Sequence, residues 1–295
     1  MRLAAVALGG NSLIRPKERG TAKSQIVRID KTVSYLKPLI RKFSLVLTHG
    51  NAPQAGALLI QQEKTKRILP QMSLDTLDAM TQGELGYWIQ QSVENILKKN
   101  AVTVVTRVLV KKSDSAFSHP TKPIGPYYKR KTFKGMIKEP EGWRRVVPSP
   151  KPVKIIDIKE IESLVRRNFV VIACGGGGVP VIEKNNRFVG VEAVIDKDYA
   201  TQKLASQLKA ETVIFLTDVD YVYCNYGKPN KKPLRRLTVK EAINYLKENQ
   251  FGEGSMKPKI EASVEFLKRG GKRVLITSPE KLNLALKGKT GTVIE

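Results

Sequence analysis

Residues 169–178 read Phe-Val-Val-Ile-Ala-Cys followed by four glycines. An unbroken apolar run of strand length suits a strand buried on both faces, as in a parallel sheet. Four glycines then strip every side chain from the end of that strand. Backbone N–H groups there can approach a ligand closely and reach φ values closed to other residues. In open α/β sheets, ligands bind just beyond the carboxyl ends of the strands. A lone glycine pair would read as a flexible turn; four glycines after a buried strand read as a ligand loop.

The rest of the chain alternates strand-like and helix-like segments. Leu3–Leu8, 44–48, 101–109 and 169–173 read as strands, as do Thr212–Leu216 and Arg273–Thr277. Helical spacing covers 24–42, with Pro38 kinking or ending it, then 54–66, 74–98, 157–167, 198–209, 239–249 and 260–269. Val179–Ile182 and Phe188–Val191 flank Asn185-Asn186 and read as a hairpin. Strands separated by helices imply βαβ units and an α/β fold with a parallel sheet. The 295 residues suffice for one large α/β domain or two smaller ones.

Residues 111–154 break the alternation. Seven prolines interrupt them, and their many Lys and Arg face only Asp114, Glu139 and Glu141. So long a stretch is unlike a plain loop in a compact domain. It reads as a small basic excursion, lid-like, with Phe117, Tyr127, Tyr128, Phe133 and Trp143 available to build a core of its own; the opposing reading is disorder. The domain expectation is one unit over 1–295 with 113–147 as an inserted basic subdomain.

No stretch approaches the ~20 apolar residues of a membrane span. The N-terminus enters an apolar segment that turns at Gly9-Gly10 without a signal-peptide cleavage pattern, and Cys174 and Cys224 match no metal or redox spacing. These features give the expectation of a cytoplasmic protein. The net charge of +25, from 52 Lys and Arg against 27 Asp and Glu, raises three readings. They are nucleic-acid binding, attraction of small anions such as nucleotides, and simply a basic proteome or a heat-adapted surface. The cations are spread along the whole chain, aromatics are only 6%, and no basic–aromatic ladder stands out. A dedicated nucleic-acid role is therefore disfavoured.

Three glycine turns end three apolar strands: Gly9-Gly10-Asn11, His49-Gly50-Asn51 and the tetraglycine. Together they set bare backbone on one edge of one sheet, which suits a polyanion. Neither a P-loop nor a G-x-G-x-x-G pattern occurs. Asp196-Lys197-Asp198 opens a helical pattern; one carboxylate caps the helix or orients lysines around a phosphate. Lys259 follows Pro258 near another helix start, where a cation is unfavourable unless an anion is present. His49 reads as a group that orients its loop by hydrogen bonds, not as a base.

These motifs, in this order, resemble carbamate kinases of the amino-acid kinase family over nearly the whole chain. The resemblance is carried by Ala7–Asn11, Thr48–Asn51, 79–83, 120–123, 142–150, the tetraglycine, 191–198, 216–220 and 254–259. It implies an open, mostly parallel eight-stranded sheet sandwiched between helices, with a small protruding subdomain, in a homodimer. It implies reversible phosphoryl transfer between ATP and carbamate, giving ADP and carbamoyl phosphate, with Mg²⁺. By the same resemblance Lys122, Asp198 and Lys259 are catalytic, and Gly9, Gly10, Asn11 and Lys197 hold phosphate. Gly50, Asn51, Gly175 and Gly176 bind carbamate, while Asp218, Tyr226, Met256 and Pro258 border the nucleotide. The wider family often has a lysine just before the first Gly-Gly; here Leu8 stands there, and Lys122 is implied to supply the charge. Two departures are Ala52, where relatives usually have glycine, and Lys257 before Pro258. The alternatives are a sibling kinase acting on another small carboxylate or phosphate, and a basic nucleic-acid-binding protein that keeps the fold.

Overall fold

The computed structural model describes residues 2–10, 13, 20–132, 135–139, 141–252 and 255–295. Eight strands form the central sheet. From one edge they run β15 (Arg236–Leu237), β17 (Thr292–Ile294), β16 (Arg273–Thr277), β12 (Thr212–Leu216), β1 (Leu3–Leu8), β2 (Ser44–His49), β9 (Val170–Ile172) and β3 (Ala101–Thr103). All neighbours are parallel except β16 and β17.

Both faces of this sheet are covered, which is why its strands read as uninterrupted apolar runs. Side chains alternate across a strand, so Ala5, Ala7, Val213 and Phe215 face one layer while Ala4, Val6, Leu8 and Ile214 face the other. Helices α4 (Ile158–Arg166), α5 (Lys197–Gln207), α6 (Val239–Lys247) and α7 (Met256–Lys268) cover the first layer. Helices α1 (Ala22–Ser34), α3 (Leu74–Ser92) and α8 (Leu282–Leu286) cover the second. The result is an αβα sandwich, as the resemblance implied. Helix α2 (Ala52–Thr65) lies against a separate small sheet.

Several boundaries differ from the sequence reading. The helix expected over 24–42 ends at Ser34, and turns carry the chain through Pro38. The helix expected from Ile260 begins at Met256, because Pro258 sits where no intrahelical N–H is required. The helix expected through 98 gives way after Ser92 to a single π turn, Val93–Leu97, closed by Lys98 in the left-handed region.

The run 101–109 is two strands, not one. β3 stays in the central sheet, whereas β4 (Arg107–Val110) joins a second sheet with β8 (Pro152–Ile155), β10 (Val179–Lys184) and β11 (Arg187–Gly190). The chain turns at Thr106, whose backbone is bracketed by the Gln82 side chain at 2.9 and 3.3 Å. The polar pair Thr106-Arg107 stands at the break, but threonine and valine on its N-terminal side suit a strand, so the run reads as one. β10 and β11 form the expected hairpin, with Asn185 and Asn186 at φ 51° and 56° as a type I′ turn requires.

β5 (Lys122–Tyr128), β6 (Met136–Glu139) and β7 (Gly142–Val147) form a separate antiparallel sheet. Its apolar contact is not the expected aromatic core. Ile124 and Val147 pack with Leu59, Leu74 and Val194 instead. Tyr127 is exposed with the Arg144 guanidinium 5.0 Å from its ring, and Lys131 lies 5.6 Å from Trp143. Phe133 lies outside the described residues. Gly56 of α2 meets Gly125 so closely that a Cβ on Gly56 would stand 2.0 Å from the Gly125 Cα. Arg145 pairs with Glu63 of α2 at 2.5 Å, so the small sheet is clamped along that helix.

Candidate active site

Strands β1, β2 and β9 are neighbours and parallel, so their carboxyl ends lie side by side. Gly9-Gly10, Gly50-Asn51 and the tetraglycine therefore share one sheet edge, as read from the sequence. A pocket of about 260 Å³ opens there. Its lining takes in Gly9, Gly10, Gly50, Asn51, Gly176, Lys122, Asp196, Lys197, Asp198, Asp218 and Lys259. The starts of α2, α5 and α7 converge on it through Asn51 and Ala52, Asp196 and Lys197, and Ser255 and Lys259. The positive dipole ends of three helix starts make the pocket favourable for a polyanion.

At its floor, Asp198 is held between two lysines. Lys259 Nζ donates to Asp198 Oδ2 at 2.9 Å and to the Ser255 carbonyl at 3.0 Å. Lys197 Nζ lies 3.1 Å from Asp198 Oδ1. Lys259 and Asp198 are buried, at 6% and 4% exposure. Burial alone would push the Asp198 carboxyl up, but Lys197 and Lys259 outweigh it and hold it below the usual carboxylate range. Burial likewise works against the Lys259 ammonium; Asp198, then Asp196 and Asp218, overcome it and raise its pKa. For Lys197 burial wins, and its pKa falls below the ordinary lysine value. The group thus holds two ammoniums against one carboxylate, a surplus of positive charge facing the pocket.

The question of Asp196 against Asp198 divides between them. Asp196 caps α5, its Oδ1 accepting from the Asp198 N–H at 2.8 Å. Its Oδ2 accepts from Lys122, which the small sheet carries to the pocket. Asp198 is the residue between the lysines.

The tetraglycine is used differently from its sequence reading. Only Gly176 lines the pocket. The rest are bare because protein crowds them: a Cβ on Gly175 would stand 2.4 Å from His49 Nε2. Gly176 itself combines φ +66° with a would-be Cβ 2.1 Å from Asn51 Nδ2. Gly175 therefore sits behind the lining. Tyr226, Met256 and Pro258 also lie off it, and Asn11 lies outside the described residues.

Tyr226 belongs to a cluster at the Asp218 side of the chain. β13 (Val222–Cys224) and β14 (Lys232–Leu234) form an antiparallel pair. That pairing sets Lys231 over the rings of Tyr223 and Tyr226, at 4.0 and 4.5 Å. Arg235 lies 5.7 Å from the Tyr221 ring. These partners form no ladder along the sequence; the strand pair and its connecting turn bring them together.

His49 is 1% exposed, and its Nδ1 bonds the Gly50 carbonyl at 3.0 Å. Burial, opposed by that bond and assisted by Lys197, lowers its pKa from 6.5 to about 4. The ring is neutral in the fold, as suits a residue that orients its loop. The unfolded chain protonates near 6.5, so acid draws protons to the unfolded state. The His49 contribution to stability should fall by up to ~3 kcal/mol between pH 6.5 and 4. Denaturant titrations of the wild type and His49→Gln across this range should show the limb in the first and its loss in the second.

Sequence reasoning gave no role to Asp78 and Thr81. Both are buried on α3 and bond the Asn51 amide at 2.9 Å. Burial first, with Asp75 and Glu192 nearby, drives the Asp78 carboxyl well above its usual range against the Asn51 bond. Their i, i+3 spacing was the available signal.

The model of the amino acid kinase family matches residues 2–278. The chain is 43% identical over 312 residues to the carbamate kinase of Thermococcus kodakarensis, covering 100% of this chain and 99% of the relative. It is 42% identical over 306 residues to the carbamate kinase of Pyrococcus horikoshii, covering 98% of each. Among solved structures, carbamate kinase from Giardia lamblia bound to AMP-PNP superposes with a TM-score of 0.92 at 37% identity, over 99% of this chain and 98% of that one.

Proposed function

The chain belongs to the amino acid kinase family, and we propose that within it the chain is a carbamate kinase. The reaction is reversible: a carbamate oxygen attacks the γ-phosphorus of ATP, the bond to ADP breaks, and carbamoyl phosphate forms. The observation that carries this reading is the buried Lys197–Asp198–Lys259 group facing a pocket walled by bare glycine loops.

Phosphoryl transfer needs alignment and neutralised charge more than covalent help. Gly9 and Gly10, with Asn11, cradle the transferring phosphoryl through main-chain N–H groups, assisted by Lys197. Lys259 and Lys122 stabilise charge on the donor and acceptor oxygens, and Asp198 orients Lys259. Gly50, Asn51 and Gly176 hold the acceptor, with Gly175 supporting Gly176 from behind. Carbamate is already an anion, so no general base is required. The small sheet acts as a lid that brings Lys122 to the pocket. Asp218, Tyr226, Met256 and Pro258 border the nucleotide. Ala52 lines the acceptor end of the pocket, where its methyl narrows the space.

Among the described residues no group of three or more His, Cys, Asp or Glu is gathered to hold a metal ion. With Asp196 and Asp198 engaged by lysines, the donor set fits a Mg²⁺ bound chiefly by nucleotide phosphates. Such an ion neutralises phosphate charge when bound.

We also propose a homodimer in the cytoplasm. Exposed Met80 and Tyr87 on α3, with Phe188 and Val189 on the adjoining hairpin, supply apolar surface for a second copy. The free, buried cysteines 174 and 224 suit a reducing compartment. Among the described residues no helix is long and apolar enough to cross a membrane.

A coupled assay should detect ATP formed from carbamoyl phosphate and ADP. No ATP from carbamoyl phosphate, with turnover of another acyl phosphate, would transfer the chain to a sibling kinase. Steeply salt-dependent RNA or DNA binding without phosphotransfer would favour the nucleic-acid alternative.

A further inference from the structure

Asn51 stands at the N-cap of α2, yet its side chain does not cap that helix. Its amide nitrogen donates instead to Asp78 Oδ1 and Thr81 Oγ1, each at 2.9 Å. The three residues are 4%, 1% and 0% exposed, so water does not compete for these bonds. The Thr81 hydroxyl has one proton, and it goes to the Asp78 carbonyl at 2.8 Å. Towards Asn51 the hydroxyl can therefore only accept. That fixes the amide's orientation by chemistry: the NH₂ end must face α3. Both amide protons are committed there, and Oδ1 remains as an acceptor on a residue that lines the pocket.

We propose that Asp78 and Thr81 pin the Asn51 amide so that its Oδ1 accepts a hydrogen bond from the amino group of the acceptor, which selects carbamate over carboxylates lacking an N–H at that position. This inference rests on the carbamate-kinase reading above. Carbamate and acetate share a carboxylate and nearly a shape; they differ in NH₂ against CH₃. Main-chain N–H groups of the glycine loops bind both carboxylates alike. A pinned acceptor oxygen distinguishes them, because a methyl group would leave it desolvated and unpaired. Asn51 touches the substrate, whereas Asp78 and Thr81 are positioning residues.

The test uses the full chain in the ATP-forming direction with ADP and two phosphoryl donors, carbamoyl phosphate and acetyl phosphate. The wild type should prefer carbamoyl phosphate. Thr81→Val should lower kcat/KM for carbamoyl phosphate at least about tenfold while changing that for acetyl phosphate less than about twofold. Asp78→Asn, isosteric but able to present a donor to the amide, should shift the ratio the same way. Thr81→Ser should restore the wild-type ratio. Two disruptive variants are used so that one failing to fold leaves the other to report. Parallel losses on both donors mean a merely structural role and overturn the proposal, as does an unmoved ratio. A wild type that uses carbamoyl phosphate without preferring it sinks the inference and leaves the kinase reading standing. A wild type that cannot use carbamoyl phosphate removes both.

Discussion

Lys259→Ala is expected to lower kcat by about a hundredfold or more, with a much smaller change in the KM for nucleotide. The lysine lies in the first turn of α7, where a cation is unfavourable for the helix. It is nevertheless buried, and it donates to Asp198 and to the Ser255 carbonyl. A buried ammonium held this way is placed for charge that appears on transferring oxygens. Removing it also leaves Asp198 with Lys197 alone, and breaking a buried ion pair commonly costs about 3–5 kcal/mol. Circular dichroism and a thermal melt must therefore accompany the kinetics, with rates expressed per folded molecule. Near-wild-type kcat in folded protein would remove Lys259 from the mechanism.

Removing the small sheet should have an equal or larger effect. Lys122 and Val147 are paired neighbours at its base, so the chain leaves and re-enters the body at adjacent positions. Residues 122–147 can thus be replaced by two glycines with little movement on either side. The central sheet has its own cores on both faces, and excision uncovers mainly Leu59, Leu74 and Val194. The trimmed protein should fold. Its turnover should fall to background, because the Lys122 charge, worth about a hundredfold alone, goes together with the cover that excludes water. Lys122→Ala in the full chain separates the two contributions. Turnover by the trimmed, folded protein within tenfold of wild type would show that neither Lys122 nor the sheet takes part in transfer.

Much of the fold was legible because it is local. Leu3–Leu8, Thr212–Leu216 and Arg273–Thr277 appear in the structure with the boundaries read from their apolar runs. Asn185-Asn186 announced its hairpin because few other dipeptides tolerate left-handed backbone at both positions. The shared edge of the glycine turns was legible too, since parallel neighbours must end on the same side. The break at Thr106 was not legible. The residue that turns the chain out of the sheet is held by Gln82, from a different element, and a threonine there suits a strand.

By itself, then, the sequence determined the layered α/β architecture, the sheet edge where the bare glycine turns gather, and the residue types found there. Periodicity, bare loops and charge are properties of short segments. Only the tertiary structure decided which groups meet. Lys259 reaches Asp198 across 61 positions, and Lys122 reaches Asp196 across 74. It also showed that the tetraglycine owes its bareness to crowding by His49 and Asn51 more than to an approaching ligand, with Gly176 alone on the pocket wall. Side-chain contacts over such separations depend on how helices and sheets pack, and packing is a property of the whole chain.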